Sequence, residues 1–244
     1  MLLADQANIH NGVNIFTMIH KVSIFLKTRF PKLAWKYAPF IWRGNTDASV
    51  EGMQRLLSSE EKISERMLLE GVEKIRTKKK VRSICEFGSG AGRNIFYLMN
   101  HFPHADYLGL DINRSLVQGG NEYFKAYYQD HAIKLKEADI ETIRLEKNKK
   151  DIIFTSMTLI YIAPDKILNV IGKIVKNSKS GVIFQEIQGI NNSKDTFAGY
   201  LHNYDNLLEE LCVGVDFNIE KSVIKYDGWT SGWHQAYQYT LVRK

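Results

Sequence analysis

The residues with the clearest chemical content form the run Glu86-Phe87-Gly88-Ser89-Gly90-Ala91-Gly92. Glycines at alternate positions let a turn take positive φ and let backbone approach a ligand. A helix beginning just after such a turn presents unpaired N–H groups to negative charge. The spacing is not that of a dinucleotide turn, because the third glycine comes one residue early and Arg93 stands where GxGxxG needs glycine. No GK[ST] run follows for a triphosphate. Glu86 adds a hydrogen-bond acceptor two residues before the first glycine. Asp111 closes Tyr107-Leu108-Gly109-Leu110-Asp111, and Asp139 lies in Glu137-Ala138-Asp139-Ile140. A carboxylate at Asp111 can accept both hydroxyls of a ribose, and one at Asp139 suits the exocyclic amine of a base. Each acid closes a candidate strand, and open α/β sheets bind ligands at that edge.

Short apolar runs supply those strands: Arg82–Phe87, Asp106–Asp111, Ile133–Glu137, Asp151–Thr155 and Gly181–Glu186. Helical periodicity separates them over 92–101, 114–130 and 165–177, the alternation that builds a parallel sheet with helices on both faces. A helical stretch at 203–213 leads into two longer strand-like runs, 217–226 and 235–243, joined as a hairpin that ends the sheet with an antiparallel pair. Upstream, Ile15, Ile19, Val22 and Leu26 recur at helical spacing over 13–28, before an aromatic, basic stretch punctuated by Pro31 and Pro39. A second helical region follows Gly44-Asn45-Thr46-Asp47. Ser58 and Glu61 have capping-box spacing and predict the start of a helix through Ile63, Met67, Leu68, Val72 and Ile75. Arg76 and Lys78–Lys80 close it, where cations suit the helix dipole.

In Glu86–Gly92, Asp111, Asp139-Ile140 and the fourth strand Asp151–Met157, the chain resembles the class I S-adenosylmethionine-dependent methyltransferases over roughly residues 60–244. The resemblance implies a doubly wound, seven-stranded, mostly parallel α/β sheet with an antiparallel last strand. It implies that Glu86, the turn Gly88, Ser89, Gly90 and Gly92, and Asn94 hold the amino-acid part of the cofactor. Asp111 would hold the ribose, Ile112 and Ile140 would pack around the adenine, and Asp139 would bind its amino group. Thr155 and Ser156 would line the floor beneath the sulfonium. The fold then divides into a helical N-terminal lid or substrate-recognition segment, 1–58, and a catalytic domain, 59–244.

A sulfonium methyl is already activated, so the reaction needs orientation and exclusion of water more than an acid–base triad, and none is legible. Tyr161 follows the fourth strand where many small-molecule methyltransferases carry histidine; its ordinary pKa of about 10 makes it a poor base near neutrality. Glu186 and Gln188 end the fifth strand, within reach of an amine or sugar hydroxyl. His234, on the hairpin loop with Trp229 and Trp233, is the histidine best suited to base work. His101 and His104 flank a proline with no acidic or cysteine ligand near, and no metal site is expected. Cys85 and Cys212 make no CxxC, and neither follows the fourth strand as the nucleophile of an RNA cytosine methyltransferase would.

The 244 residues, 44% hydrophobic and 25% charged, suit one large globular domain with an appendage and exclude disorder, collagen and coiled coil. Ile15–Leu26 is broken by His20 and Lys21, so no membrane span is expected. With no secretory pattern, a cytoplasmic protein is expected. Of the net charge of +6, four lie in residues 1–58, which carry seven Lys and Arg against three Asp and Glu. That piece also holds Trp35, Tyr37, Trp42 and Arg43, suited to a lid over cofactor and acceptor. Phe16, Phe25 and Phe30 beside Lys21, Lys27 and Arg29 make 13–30 a rival candidate for peripheral membrane contact. The expected activity is methyl transfer to N or O of a small acceptor such as a sugar, a nucleotide sugar or a related metabolite. Two alternatives stay open: an RNA methyltransferase, supported only by the basic first quarter, and a methyltransferase-like, non-catalytic subunit. The sequence indicates no oligomeric state.

Overall fold

From residue 83 onward, β-branched and aromatic runs alternate with amphipathic segments, and each forms the element that its period demands. The computed structural model describes residues 50–57, 60–144, 149–188, 199–212, 216–225 and 235–244. Helices α1 (Val50–Leu57) and α2 (Ile63–Arg76) precede β1 (Ser83–Phe87), α3 (Arg93–His101), β2 (Asp106–Asp111), α4 (Arg114–Tyr127) and β3 (Ile133–Glu137). Then come β4 (Lys150–Ser156), a 3-10 turn (Leu159–Tyr161), α5 (Ile167–Asn177), β5 (Ser178–Gln188), α6 (Tyr204–Cys212), β6 (Phe217–Ile224) and β7 (Gln235–Arg243). The expected helix over 13–28 and the aromatic stretch after it lie outside the described residues.

One seven-stranded sheet has the order β3-β2-β1-β4-β5-β7-β6. The contacts among β1 to β5 are parallel, and β7 runs antiparallel to both β5 and β6. Only β7 therefore opposes the rest. The order reverses between β1 and β4, which opens a crevice at the carboxyl edge where open sheets hold ligands.

Period-2 alternation divides the core into two layers. Ile84, Ile152, Phe154 and Ile183 pack with α1 to α4 through Leu68, Val72, Ile75, Ile95 and Leu98. Cys85, Phe87, Ile153, Val182 and Phe184 face the opposite way, onto Ile171, Ile174, Tyr204 and Leu208 of α5 and α6. The same alternation places Glu86 and Asp111 on the α1–α4 side, and Thr155 and Glu186 on the α5–α6 side.

The start of α2 departs from the capping box read at Ser58 and Glu61. The helix begins at Ile63, and the Lys62 backbone N–H donates to Glu65 Oε2 at 2.8 Å. Glu61 is drawn elsewhere: it accepts from Arg66 at 2.9 Å and from the Tyr97 hydroxyl. At the other end α2 stops at Arg76, whose guanidinium lies 4.2 Å from the centre of the Phe102 ring.

Candidate active site

The turn between β1 and α3 is built by three positive φ angles, 78° at Gly88, 52° at Gly90 and 90° at Gly92. Gly88 and Ser89 donate backbone N–H bonds to Leu110 O at 2.7 and 3.0 Å, which ties the turn to the end of β2. A side chain at Gly88 would fall on Thr158, so glycine is required there by contact as well as by conformation. Gly90 differs: a Cβ there would meet only Leu116 Cδ1, at 3.9 Å. The turn therefore presents bare backbone with open space beside it.

Glu86 is buried. Its Oε1 accepts from Asn94 Nδ2 at 2.6 Å, and Oε2 has no partner. Burial raises its carboxyl to about 8, opposed by the Asn94 hydrogen bond and assisted by the charge of Asp111. The Ser89 hydroxyl is buried and likewise unpartnered. Asp111 accepts the Gly90 N–H on Oδ2 at 2.7 Å and the Asn113 N–H on Oδ1 at 2.8 Å. Asp111 thereby ties the glycine turn to the start of α4. Asn113 also caps α4 by accepting from Leu116 N at 3.2 Å. Ile112 and Asp139 are half-buried and Ile140 is buried; Asp139 Oδ1 accepts from Glu141 N at 3.0 Å. A buried carboxyl oxygen and a buried hydroxyl without partners, beside an open glycine turn, fit a ligand carrying an ammonium group.

The chain leaves β4 with Thr155 fully buried and Ser156 half-buried. Met157 then takes φ 54°, a left-handed backbone that costs a non-glycine residue about 1–2 kcal/mol. The Thr158 hydroxyl donates to Ser156 O at 3.1 Å and to Gly88 O at 3.4 Å, so this turn rests on the glycine turn. Tyr161 follows, half-buried. Burial, assisted by the charges of Glu186 and Asp111, holds its hydroxyl above the usual range.

Glu186, expected to touch an acceptor, is fully buried behind this turn instead. Its Oε1 accepts from Thr158 N and its Oε2 from Leu159 N, both at 3.2 Å. Gln188 also departs from expectation: its amide donates to Asp205 at 2.6 Å, in a network with Tyr239 and Lys221. His202, unremarked in the sequence, lies buried beneath the same turn with Nε2 at 3.2 Å from Leu159 O and 3.0 Å from Ile162 O. Burial lowers its pKa. Nothing local marks His202 or Thr158, whereas an asparagine directly before α4 is a legible cap signal. His234, Trp229, Trp233, Trp35, Tyr37, Trp42 and Arg43 lie outside the described residues. The chain leaves the carboxyl edge at Ile224 and returns to it at Gln235, which pairs with Gln188. Among the described residues no group of three His, Cys, Asp or Glu could hold a metal, and no helix is long and apolar enough to cross a membrane.

Residues 84–181 match a family model described as a methyltransferase domain. Over 100 residues the chain is 26% identical to phosphoethanolamine N-methyltransferase 1 of Triticum aestivum, a match covering 41% of this chain and 20% of that protein. The chain thus spans about a fifth of the curated relative's length. It is similar in fold to magnesium protoporphyrin IX methyltransferase from Synechocystis PCC 6803 with bound S-adenosylmethionine (SAM): TM-score 0.61, 12% identity, 89% of this chain and 97% of that one. It is similar too to the plantazolicin methyltransferase BpumL in complex with a pentazolic desmethylPZN analog and S-adenosylhomocysteine (SAH): TM-score 0.61, 11% identity, 93% of this chain and 99% of that one. The family-model match thus spans β1 to the middle of β5, and the fold as a whole is the Rossmann-like fold of these solved methyltransferases.

Proposed function

We propose that the chain is a SAM-dependent methyltransferase that methylates N or O of a small acceptor. The observation that carries this reading is the half-satisfied, buried Glu86 beside an open glycine turn, with Asp111 bonded to that turn at Gly90. Glu86, Ser89, Gly90 and Asn94 would hold the amino-acid end of the cofactor, and Asp111 its ribose. Ile112, Asp139 and Ile140 would hold its base, above a floor of Thr155 and Ser156. When bound, SAM supplies a methyl group activated by the sulfonium. The protein then contributes orientation and a dry site. Tyr161 serves as a hydroxyl that orients the acceptor, since its raised pKa disfavours a role as base. His234 is the proposed base where an acceptor carries a proton to lose, and Trp229 and Trp233 precede it on the same loop of the sequence. Trp35, Tyr37, Trp42 and Arg43 belong to a lid.

The name of the wheat relative, a small-amine methyltransferase, supports a small acceptor. Calorimetry with SAM and SAH, followed by a labelled-methyl screen of nucleotide sugars, small amines and total RNA, tests the reading. Cofactor heat with label on a small molecule is expected. Label on RNA with steep salt dependence would favour the RNA enzyme, and heat with no labelled product in any pool would favour the non-catalytic subunit. Absence of heat with either ligand refutes the assignment.

A further inference from the structure

The turn after β4 is fastened from beneath. Met157 stands in the left-handed region, its N–H donating to Gln185 O at 2.8 Å. The next two N–H groups, of Thr158 and Leu159, end on the two oxygens of one buried carboxylate, Glu186. The Thr158 side chain occupies the space where a Gly88 Cβ would stand, and its hydroxyl reaches Gly88 O at 3.4 Å. On the other side, Tyr200 N donates to Ile160 O at 2.7 Å and His202 Nε2 lies against two carbonyls of the same segment. A buried carboxylate whose oxygens both accept backbone N–H groups is committed to the chain that donates them. A residue in the left-handed region persists only where its surroundings over-determine it.

We propose that Glu186 is a positioning residue: it holds the Met157–Leu159 turn in its left-handed shape and thereby seats Thr158 on the glycine turn and sets the place of Tyr161. The step from this turn to catalysis rests on the methyltransferase reading; the positioning itself does not. Glu186→Gln keeps the size but turns an amide N–H₂ toward one of two donors, so that N–H loses its acceptor. Met157→Gly removes the conformational strain that the carboxylate offsets.

Backbone amide exchange on the full-length protein without methyl donor reads the turn directly. In E186Q, exchange at Thr158 and Leu159 should quicken by about tenfold or more, while amides within α5, such as Ile171, keep their rates. Adding M157G to E186Q should recover most of that protection. Unchanged exchange at Thr158 and Leu159, an equal acceleration at Ile171, or no recovery in the double variant overturns the inference. If E186Q does not fold, E186D, which draws the charge back by one methylene, is read by the same criteria. Once an acceptor is found, E186Q should lower kcat by about tenfold while acceptor KM stays within about threefold; wild-type kcat in E186Q also overturns it. Loss of SAH heat in the wild-type protein would sink the methyltransferase reading and leave the exchange result standing.

Discussion

A buried carboxyl held above its usual range gains most from a cation, and Glu86 is in that position. Between 4.5, the ordinary value, and about 8, its value in the fold, the unfolded chain is ionised while the folded one keeps its proton. Folding therefore takes up a proton, and the stability of the ligand-free protein falls as pH rises through that window. Glu86→Gln should reduce this slope in urea denaturation and leave the share of Glu186, which burial raises to about 7; an unchanged slope would assign it elsewhere. A ligand ammonium favours the ionised form, so SAH should bind more tightly as pH climbs toward 8; in E86Q calorimetry should show that gain lost. The neighbouring glycines separate fold from site. Gly90→Ala puts its Cβ no closer than 3.9 Å to Leu116 and should cost about 1–2 kcal/mol of stability through its left-handed backbone, yet weaken SAH by about tenfold or more by intruding on the cradle. Gly88→Ala drives a methyl into Thr158 and should destabilise the fold more than Gly90→Ala, as read from urea midpoints.

Among elements, α2 is fastened to α3 beside the glycine turn by a buried ion pair. The Arg93 guanidinium donates to both Glu65 oxygens and to Glu60 O, with Glu65 1% and Arg93 14% exposed. Tyr97 of α3 donates to Glu61 one turn further along. The residue that breaks the GxGxxG pattern thus docks the helix leading into the domain. Arg93→Met strands a buried carboxylate and should cost about 3–5 kcal/mol by urea denaturation, whereas R93M/E65Q, which removes the charge but keeps an oxygen for the Lys62 N–H, should recover much of the loss. Equal stability of the single and double variants would show that the pair does not fasten these helices.

At the scale of the whole molecule, charge is uneven, with four of the six net positive charges in residues 1–58. If that piece steers an anionic acceptor, kcat/KM should fall with ionic strength while kcat holds; insensitivity to salt would leave it without that role. The alternation of strand and helix, the antiparallel final pair and the strand-end acids were legible along the chain, because period and turn chemistry are local properties. Gly88 to Asp111 could be placed together because parallel strands deliver their ends to a common edge. Partner choice was not legible. Glu186 looked available to an acceptor, yet it takes N–H groups 27 and 28 residues away, and Arg93 finds Glu65 across 28 residues. His202 reaches carbonyls 40 and 43 residues distant. Residue types and their spacing determined which chemistry this chain brings to its sheet edge. Which buried polar groups face that edge and which hold the backbone behind it was decided only by packing, because desolvation forces each to the nearest partner in space, whatever its distance along the chain.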